Sequence, residues 1–195
     1  FAQTEETRAF VEKGGRVISM PMAPGPGKAL AFLLRAGQWD QDKLRTLREM
    51  TLNVARRVQG KRLVRVTSDL GTDLTVSVEG KRWHTMYGIA DRDDEPAWGP
   101  EEEKLAKAPW DDSFAVGTTG FPPAELHNPA VPDTAEGVVF IDSSTNGVSD
   151  IQQPIRVVFR KGRITEISGG EEASRLKEII DSADDSAHRF CEIGI

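Results

Sequence analysis

The longest regular pattern of apolar and polar residues predicts an amphipathic helix early in the chain. In segment 39–60, WDQDKLRTLREMTLNVARRVQG, apolar residues and one threonine recur every three or four positions, which places their side chains on one side of an α-helix. The predicted inner face consists of Leu44, Leu47, Thr51, Val54 and Val58. Asp40 can cap the first turn, and Gly60 is typical of a helix end. We therefore expect a helix that begins after Asp40 and ends before Gly60.

Beyond Gly60 the pattern changes to the alternation of β-strands. The strand-like segments are RLVRVTSD, DLTVSVEGKRWHTM, GVVFID and PIRVVFRKGRITEISGG. Glu79-Gly80 and Lys161-Gly162 have the residue types of hairpin turns. One further helix is predicted at 171–184, EEASRLKEIIDSAD, and the closing HRFCEIGI is strand-like.

The first residues predict a helix that leads into a strand. In TEETRAFVEKGGRVISM, Thr4 can cap the helix, Gly14 and Gly15 can end it, and RVISM follows as a strand. Helix then strand is half of an α/β unit, and PMAPGPGKA at 21–29 predicts a loop. The fold class expected is α+β: the end of an α/β domain at 1–60, then a mainly antiparallel, β-rich domain at 61–195. Because the chain opens within an α/β unit and closes on apolar residues, we expect it to be a piece of a longer protein, with the second domain truncated at its C-terminal end.

Composition narrows the range of partners. A net charge of −6 argues against a nucleic-acid-binding surface, which is normally basic. No stretch approaches the ~18 consecutive apolar residues of a membrane span. The opening FAQTEETRAF lacks the features of a secretory signal, so we expect a cytoplasmic protein with no nucleic-acid or membrane partner. The negative charge is concentrated at 91–112, which contains nine acidic and three basic residues. We expect Trp98 and Trp110 to pack this loop against the core, because a fully solvated loop rarely contains such large apolar side chains.

The single cysteine limits the possible chemistry. Cys191 cannot form an internal disulfide, and one cysteine excludes a Cys-rich zinc site, so a metal would be held by oxygen and imidazole. Within RFCEIGI we expect Cys191 to be a buried small apolar residue rather than a nucleophile. The signatures GxSxG, HExxH, GxGxxG and the Walker loop are all absent.

Four acids remain as candidates. Asp69 and Asp73 flank a Gly-Thr turn and could bind a cation, although aspartates at turns more often bond their own backbone. Glu125 lies in FPPAELHNPAVPD, where prolines leave the loop little freedom to lose on ordering. In FCEIGI, strand alternation directs Glu192 away from its apolar neighbours.

The three histidines differ in their predicted roles. His127 follows Glu125 by two residues and shares its face if the segment is extended. His84 and His188 show no ligand spacing and are interpreted as packing or surface residues.

Four segments together resemble a known family. In chain order, GTDLTVSVEG, PPAELHNPAVPDTAEGVVFID, GRITEISGGEEASRL and CEIGI resemble the M29-type metallo-aminopeptidases, the family of aminopeptidase T, over residues 61–195. In that family a Pro-x-Gly-Glu-Val segment supplies one metal-binding glutamate, and a Glu-Leu-Gly-Ile-Gly segment supplies a second. The resemblance places these ligands on Glu125 and Glu192. It implies a homo-oligomeric hydrolase that removes N-terminal residues from peptides with two divalent cations, either zinc, cobalt or manganese. No catalytic base or substrate-binding residue is assigned.

The chain departs from the family pattern at two points. Ala124 stands where the family prefers glycine. The histidines, tyrosine and aspartate that complete the family's site lie downstream of the Glu-Leu-Gly-Ile-Gly segment. Either the chain is a piece of a longer protein that carries them beyond Ile195, or the protein has no complete site.

Two alternatives stay open. The family shares its fold with 2,5-dihydroxypyridine dioxygenase, a ring-cleaving enzyme that binds one ferrous iron through histidines and an aspartate and lacks the two glutamates. The presence of Glu125 and Glu192 favours the two-metal interpretation over this one. The other alternative is a non-catalytic binding domain, with Trp98, Trp110 and the acidic loop as a partner surface.

Overall fold

The computed structural model describes the chain in several stretches. They are Glu6, Ala9, Phe10, 13–15, 17–19, 40–81, 83–86, 118–120, 125–145 and 147–195. Several predictions concern residues outside these stretches: the helix cap at Thr4, the loop at 21–29, the acidic loop at 91–112 and Ala124.

The described elements confirm an α+β fold. Helix α1 spans Gln41–Val58 and helix α2 spans Glu171–Ser182. The strands are β1 Val17–Ser19, β2 Leu63–Thr67, β3 Asp73–Ser77, β4 His84–Met86, β5 Thr118–Gly120, β6 Glu125–Pro129, β7 Glu136–Ile141, β8 Ile155–Arg160, β9 Arg163–Ser168 and β10 Glu192–Gly194. A 3-10 turn spans Asp185–His188. Within the described residues, no helix combines the length and the apolar character needed to cross a membrane.

Helix α1 begins and ends as its sequence predicts. The Asp40 carboxylate accepts a hydrogen bond from the Lys43 backbone N–H at 2.8 Å, and Gly60 follows the helix with a φ of +74°. The predicted inner face is wrong at Val54, which is 41% exposed. Leu52 and Ala55 are buried instead, because α1 packs on β4 through the side where the small Ala55 allows a close approach.

The described chain forms two compact units, each built from separate stretches. Unit 1 contains Phe1–Gln59, Arg82–Asn128 and Gly194–Ile195, and unit 2 contains Gly60–Lys81 and Pro129–Ile193. The division into domains 1–60 and 61–195 stays a prediction.

Unit 1 combines parallel and antiparallel strand pairs. Strands β1 and β5 pair in parallel, with Val17 opposite Thr118, and β4 pairs with β6 in antiparallel orientation. Parallel pairs require a long crossover connection, so β1 and β5 suit the α/β character predicted for the start of the chain. The buried apolar residues of unit 1 include Leu52, Ala55, Trp83, Met86 and Leu126.

Unit 2 is built on a five-stranded sheet. Its order is β2-β3-β7-β8-β9, and each neighbouring pair is antiparallel, as the alternating sequence predicts. Leu74, Val76 and Val78 alternate into the core along β3 and the residues after it, and α2 packs on β8 and β9. The core also includes Ile155, Val157, Ala173 and Leu176.

One of the two predicted hairpins is confirmed. Lys161-Gly162 joins the paired strands β8 and β9. Glu79-Gly80 also forms a turn, in which the Lys81 N–H donates to the Val78 carbonyl at 3.1 Å. The hairpin prediction there is wrong, because β3 and β4 belong to different sheets. Turn chemistry is local, whereas the partner of β4 comes from a distant part of the sequence.

The Lys161-Gly162 turn contacts two other segments of unit 2. The Gly162 N–H donates to the Ala135 carbonyl at 2.9 Å, and the Gly162 carbonyl accepts from the Phe190 N–H at 2.8 Å. A Cβ on Gly162 would lie 2.6 Å from the Asp133 Cα. Only glycine fits this position, and the two hydrogen bonds fix the chain that leads into β10.

Comparing Gly80 with Gly162 separates two costs of adding a side chain: the strain of a positive φ and the steric clash with a neighbouring segment. Gly80 and Gly162 have the same φ of +70°, but a Cβ on Gly80 meets nothing within 4 Å. We expect Gly80→Ala to lower the free energy of unfolding by about 1 kcal/mol, the cost of a left-handed non-glycine residue. Gly162→Ala adds a steric clash and should cost about 2 kcal/mol more. Urea unfolding of both variants measures the difference, and equal losses would contradict the requirement for glycine at Gly162.

Candidate functional site

Strand β6 carries the first candidate ligand at its start. Glu125 is half-buried, and alternation along β6 places His127 on the same side of the strand and Leu126 on the other. In the register with β4, Glu125 faces Met86 and His127 faces His84.

Two stacked histidines lie on the same side of this sheet as Glu125. The His84 and His127 rings are stacked, with centroids 5.3 Å apart and planes 20° apart. The His127 side chain is buried at 4% exposure, and burial lowers its pKa, while the nearby Glu125 carboxylate raises it in part. Burial therefore favours the neutral imidazole, which is the form that binds metals.

Strand β10 brings a glycine next to Glu125. Leu126 and Ile195 exchange both backbone hydrogen bonds, at 3.1 and 2.8 Å, so the preceding residue, Gly194, faces His127. A Cβ on Gly194 would lie 3.8 Å from Glu125 Oε1. The absence of a side chain at Gly194 leaves space beside this carboxylate.

Glu192, the second candidate ligand, is the first residue of β10. The Ala130 N–H donates to the Cys191 carbonyl at 3.0 Å, so the next residue, Glu192, faces Pro129. Glu192 is an exposed residue, yet partial desolvation of its carboxyl group raises its pKa. The sheet that contains β10 has the order β10-β6-β4. Because β10 runs antiparallel to β6, Glu192 faces the last residue of β6, whereas Glu125 is the first residue of that strand, so the register does not place the two candidate glutamates opposite each other.

Neither candidate carboxylate has a hydrogen bond or an ion pair from any residue that the structure describes. Several acids of unit 2 are paired with arginine instead. The contrast suits a ligand role, because a carboxylate that is not engaged by an arginine can accept a cation.

Of the two candidate acids at the turn, Asp69 and Asp73, the structure pairs Asp73 with an arginine. Both oxygens of Asp73 accept hydrogen bonds from Arg65 at 2.8 Å, and this pairing lowers the Asp73 pKa. The turn between β2 and β3 is closed by the Gly71 N–H, which donates to the Ser68 carbonyl at 3.0 Å. Asp73 is therefore engaged in a surface ion pair.

One sequence prediction about this region is wrong. Cys191 is exposed, not buried. The alternation that points Ile193 inward turns Cys191 to the same side, but Cys191 lies outside the short strand β10 and follows a 3-10 turn. Its exposure alone assigns no chemistry.

Two features of the site were missed by sequence reasoning. The sequence predicts His84 as a packing or surface residue, and its ring does pack, but the identity of its partner, His127, follows from the register of β4 with β6, which no local pattern encodes. The role of Gly194 could have been predicted from the sequence. A glycine inside a strand-like segment such as CEIGI often marks a position where another group approaches the backbone closely.

The described residues do not by themselves form a metal cage. Among them, no group of three or more histidine, cysteine, aspartate or glutamate side chains is placed to hold one metal ion. Glu125 and Glu192 are thus candidate ligands that would need others.

Comparison with known proteins identifies two solved structures of similar fold. No protein-family model matches the chain, and no curated protein matches it by sequence. The structure is similar to that of 2,5-dihydroxypyridine dioxygenase from Pseudomonas putida KT2440, with a TM-score of 0.67 and 20% identity over 100% of this chain and 48% of that one. It is also similar to AmpT from Thermus thermophilus, an aminopeptidase, with a TM-score of 0.51 and 17% identity over 86% of this chain and 38% of that one.

These similarities establish a shared fold and leave the activity open. The chain spans about half the length of the dioxygenase and less of AmpT. At identities of 20% and 17%, the M29 resemblance is supported as a relation of fold, and membership of that family is not shown.

The burial of His127 predicts a pH-dependent stability. Because the folded state lowers the His127 pKa below its usual 6.5, the unfolded chain binds the proton more readily. The stabilisation is present above pH 6.5 and is lost as the pH falls through and below this value. We expect the free energy of unfolding to decrease between pH 7 and pH 5, and His127→Gln to make this decrease smaller.

Chemical unfolding at a series of pH values measures this effect. Met86→Leu is the control, since Met86 is buried on the neighbouring strand and does not titrate. An unchanged pH dependence in His127→Gln would show that His127 does not contribute.

Proposed function

We propose that this protein is a metal-dependent hydrolase that removes N-terminal residues from peptides, with Glu125 and Glu192 as metal ligands. The observation that carries the proposal is that neither carboxylate makes a hydrogen bond or an ion pair with the described residues. The aminopeptidase AmpT, which shares the fold, adds support.

The candidate ligands are of types that bind divalent cations, but they are too few for a complete site. Carboxylate oxygens suit zinc, cobalt or manganese, and a neutral imidazole such as that of His127 suits zinc. The remaining ligands of a two-metal site would have to come from outside the described residues, since these contain no three-ligand group.

The residues of this chain have distinct proposed tasks. When bound, a pair of divalent cations lowers the pKa of a water molecule and stabilises the negative charge that develops on an attacked carbonyl oxygen. Glu125 and Glu192 would offset the charge of the cations. The raised pKa of Glu192 belongs to a carboxylate in partly desolvated surroundings, where the ionised form gains most from a nearby positive charge. Gly194 would leave room beside Glu125.

The second candidate is a dioxygenase with one ferrous iron. The observation that favours it is structural: the dioxygenase aligns with 100% of this chain at a TM-score of 0.67, against 86% and 0.51 for AmpT. The two candidates differ in the metal that each requires and in their dependence on Glu125.

Elemental analysis of the protein expressed from its complete reading frame tests both candidates. For the hydrolase we expect close to two zinc, cobalt or manganese ions per chain, and Glu125→Gln or Glu192→Gln should reduce this content to about one or none. Glu178→Gln is the control, because Glu178 is an exposed glutamate of helix α2.

The other outcomes are equally informative. One iron per chain, unchanged in Glu125→Gln, would contradict the hydrolase and favour the dioxygenase. No bound metal after reconstitution with each of these ions would contradict both candidates and leave a binding domain. If two metals are present, release of amino acids from peptides with free N-termini is the activity to measure, and peptides with acetylated N-termini should not be cleaved.

A further inference from the structure

Unit 1 contains a group of buried polar atoms with no protein partner. Gln59 Nε2, Trp83 Nε1 and both amide atoms of Asn128 are inaccessible and make no hydrogen bond within the described structure. Asn128 is 0% exposed and Trp83 is 1% exposed. Most buried polar groups in proteins are hydrogen-bonded, because an unpaired one costs free energy on burial.

These three residues are neighbours. The Trp83 backbone N–H donates to Gln59 Oε1 at 3.3 Å, which holds the Gln59 amide at the Trp83 main chain. His84 faces His127 across the antiparallel pair β4 and β6, so Trp83 and Asn128 are the next residues along the two strands. Alternation turns Asn128 to the side of β6 opposite Glu125 and His127.

The composition of the group indicates what it binds. Gln59 Nε2 and Asn128 Nδ2 each carry two N–H groups and Trp83 Nε1 carries one, whereas Asn128 Oδ1 is the one acceptor among the four atoms. A partner must accept several hydrogen bonds and donate at least one, and must be small, since Trp83 and Asn128 are completely enclosed. Water meets these requirements: its oxygen accepts two hydrogen bonds and its hydrogens donate two.

We propose that Gln59, Trp83 and Asn128 form an internal hydration site that holds at least one ordered water molecule. The water connects the C-terminal end of α1 with β4 and β6. Its bonds also favour one register of β6, because a slip by one residue would turn Asn128 to the opposite face and leave it without this partner. The proposal does not depend on the metal-dependent function, since the group lies on the other side of β6 from Glu125.

Nuclear magnetic resonance of the isotope-labelled wild-type protein tests the proposal directly. We expect cross-peaks between water and both the Trp83 indole N–H and the Asn128 side-chain NH₂, with opposite signs in laboratory-frame and rotating-frame Overhauser spectra. Opposite signs identify a long-lived bound water and exclude simple proton exchange, which gives the same sign in both. Trp83→Phe assigns the indole signal. The absence of these cross-peaks at both groups would overturn the proposal.

A substitution provides an independent thermodynamic test. Asn128→Leu replaces the amide by an apolar side chain of similar size. If water satisfies the amide, the substitution removes hydrogen bonds and the equilibrium constant for folding should fall about ten-fold. If the amide is unpaired, the same substitution should raise that constant, and this result would contradict the proposal.

Two further variants control this test. Asn53→Leu makes the same change at an exposed asparagine of α1 that accepts a hydrogen bond from Arg56 at 3.0 Å. The double variant of Trp83→Phe and Asn128→Leu should lose less stability than the sum of the single losses, because either substitution removes the shared water. Additive losses would count against a shared water, and the wild-type spectra decide the question if Asn128→Leu fails to fold.

Discussion

The pairing of β6 with a strand on each side is the constraint on which the rest of the site depends. Hydrogen bonds to β4 set which residue faces Glu125 and His127, and the exchange of hydrogen bonds between Leu126 and Ile195 sets which residue of β10 lies beside them. Side chains alternate along a strand, so this register separates a carboxylate and a histidine on one side from Leu126 and Asn128 on the other. A shift of one residue would exchange the two sets.

The two sides of β6 combine polar groups in different ways. Around His127 the burial of an ionisable ring is tolerated because the ring is neutral, and its stacking on His84 supplies contact area. Around Asn128 a neutral amide is fully enclosed and requires a hydrogen-bonding partner. Unit 2 instead places its charges at the surface, where arginines such as Arg65 pair with carboxylates and contribute little to stability.

Local patterns account for much of the fold. Asp40 and Gly60 delimit α1, and Lys161-Gly162 connects β8 and β9, because caps and tight turns are determined by a few adjacent residues. Predictions failed where distant residues decide. The buried side of α1 depends on the strand against which it packs, so Val54 is exposed, and Glu79-Gly80 is not a hairpin because the partner of β4 is β6.

The same distinction between local and distant residues applies to the candidate site. The prolines around Glu125 and the CEIGI segment are local signals that drew attention to both glutamates. The contribution of His84 and the proximity of Gly194 to Glu125 depend on strand register, which alternation alone does not specify. Whether the glutamates bind metal depends on further groups, and no local pattern identifies these.

Unit 1 is built from stretches that are far apart in the sequence, and this affects the order in which its parts can fold. Its last two residues are separated from Leu126 by the greater part of unit 2, so the hydrogen bonds between Leu126 and Ile195 close a long loop. Closing a long loop costs chain entropy before any contact offsets it, and such non-local contacts form slowly. Unit 2 has its own hairpins and can gain structure from local contacts first, which shortens the effective loop. Strand β10 would then pair with β6 late in folding, so the side of β6 that carries Glu125 would be completed after most of unit 2 has formed.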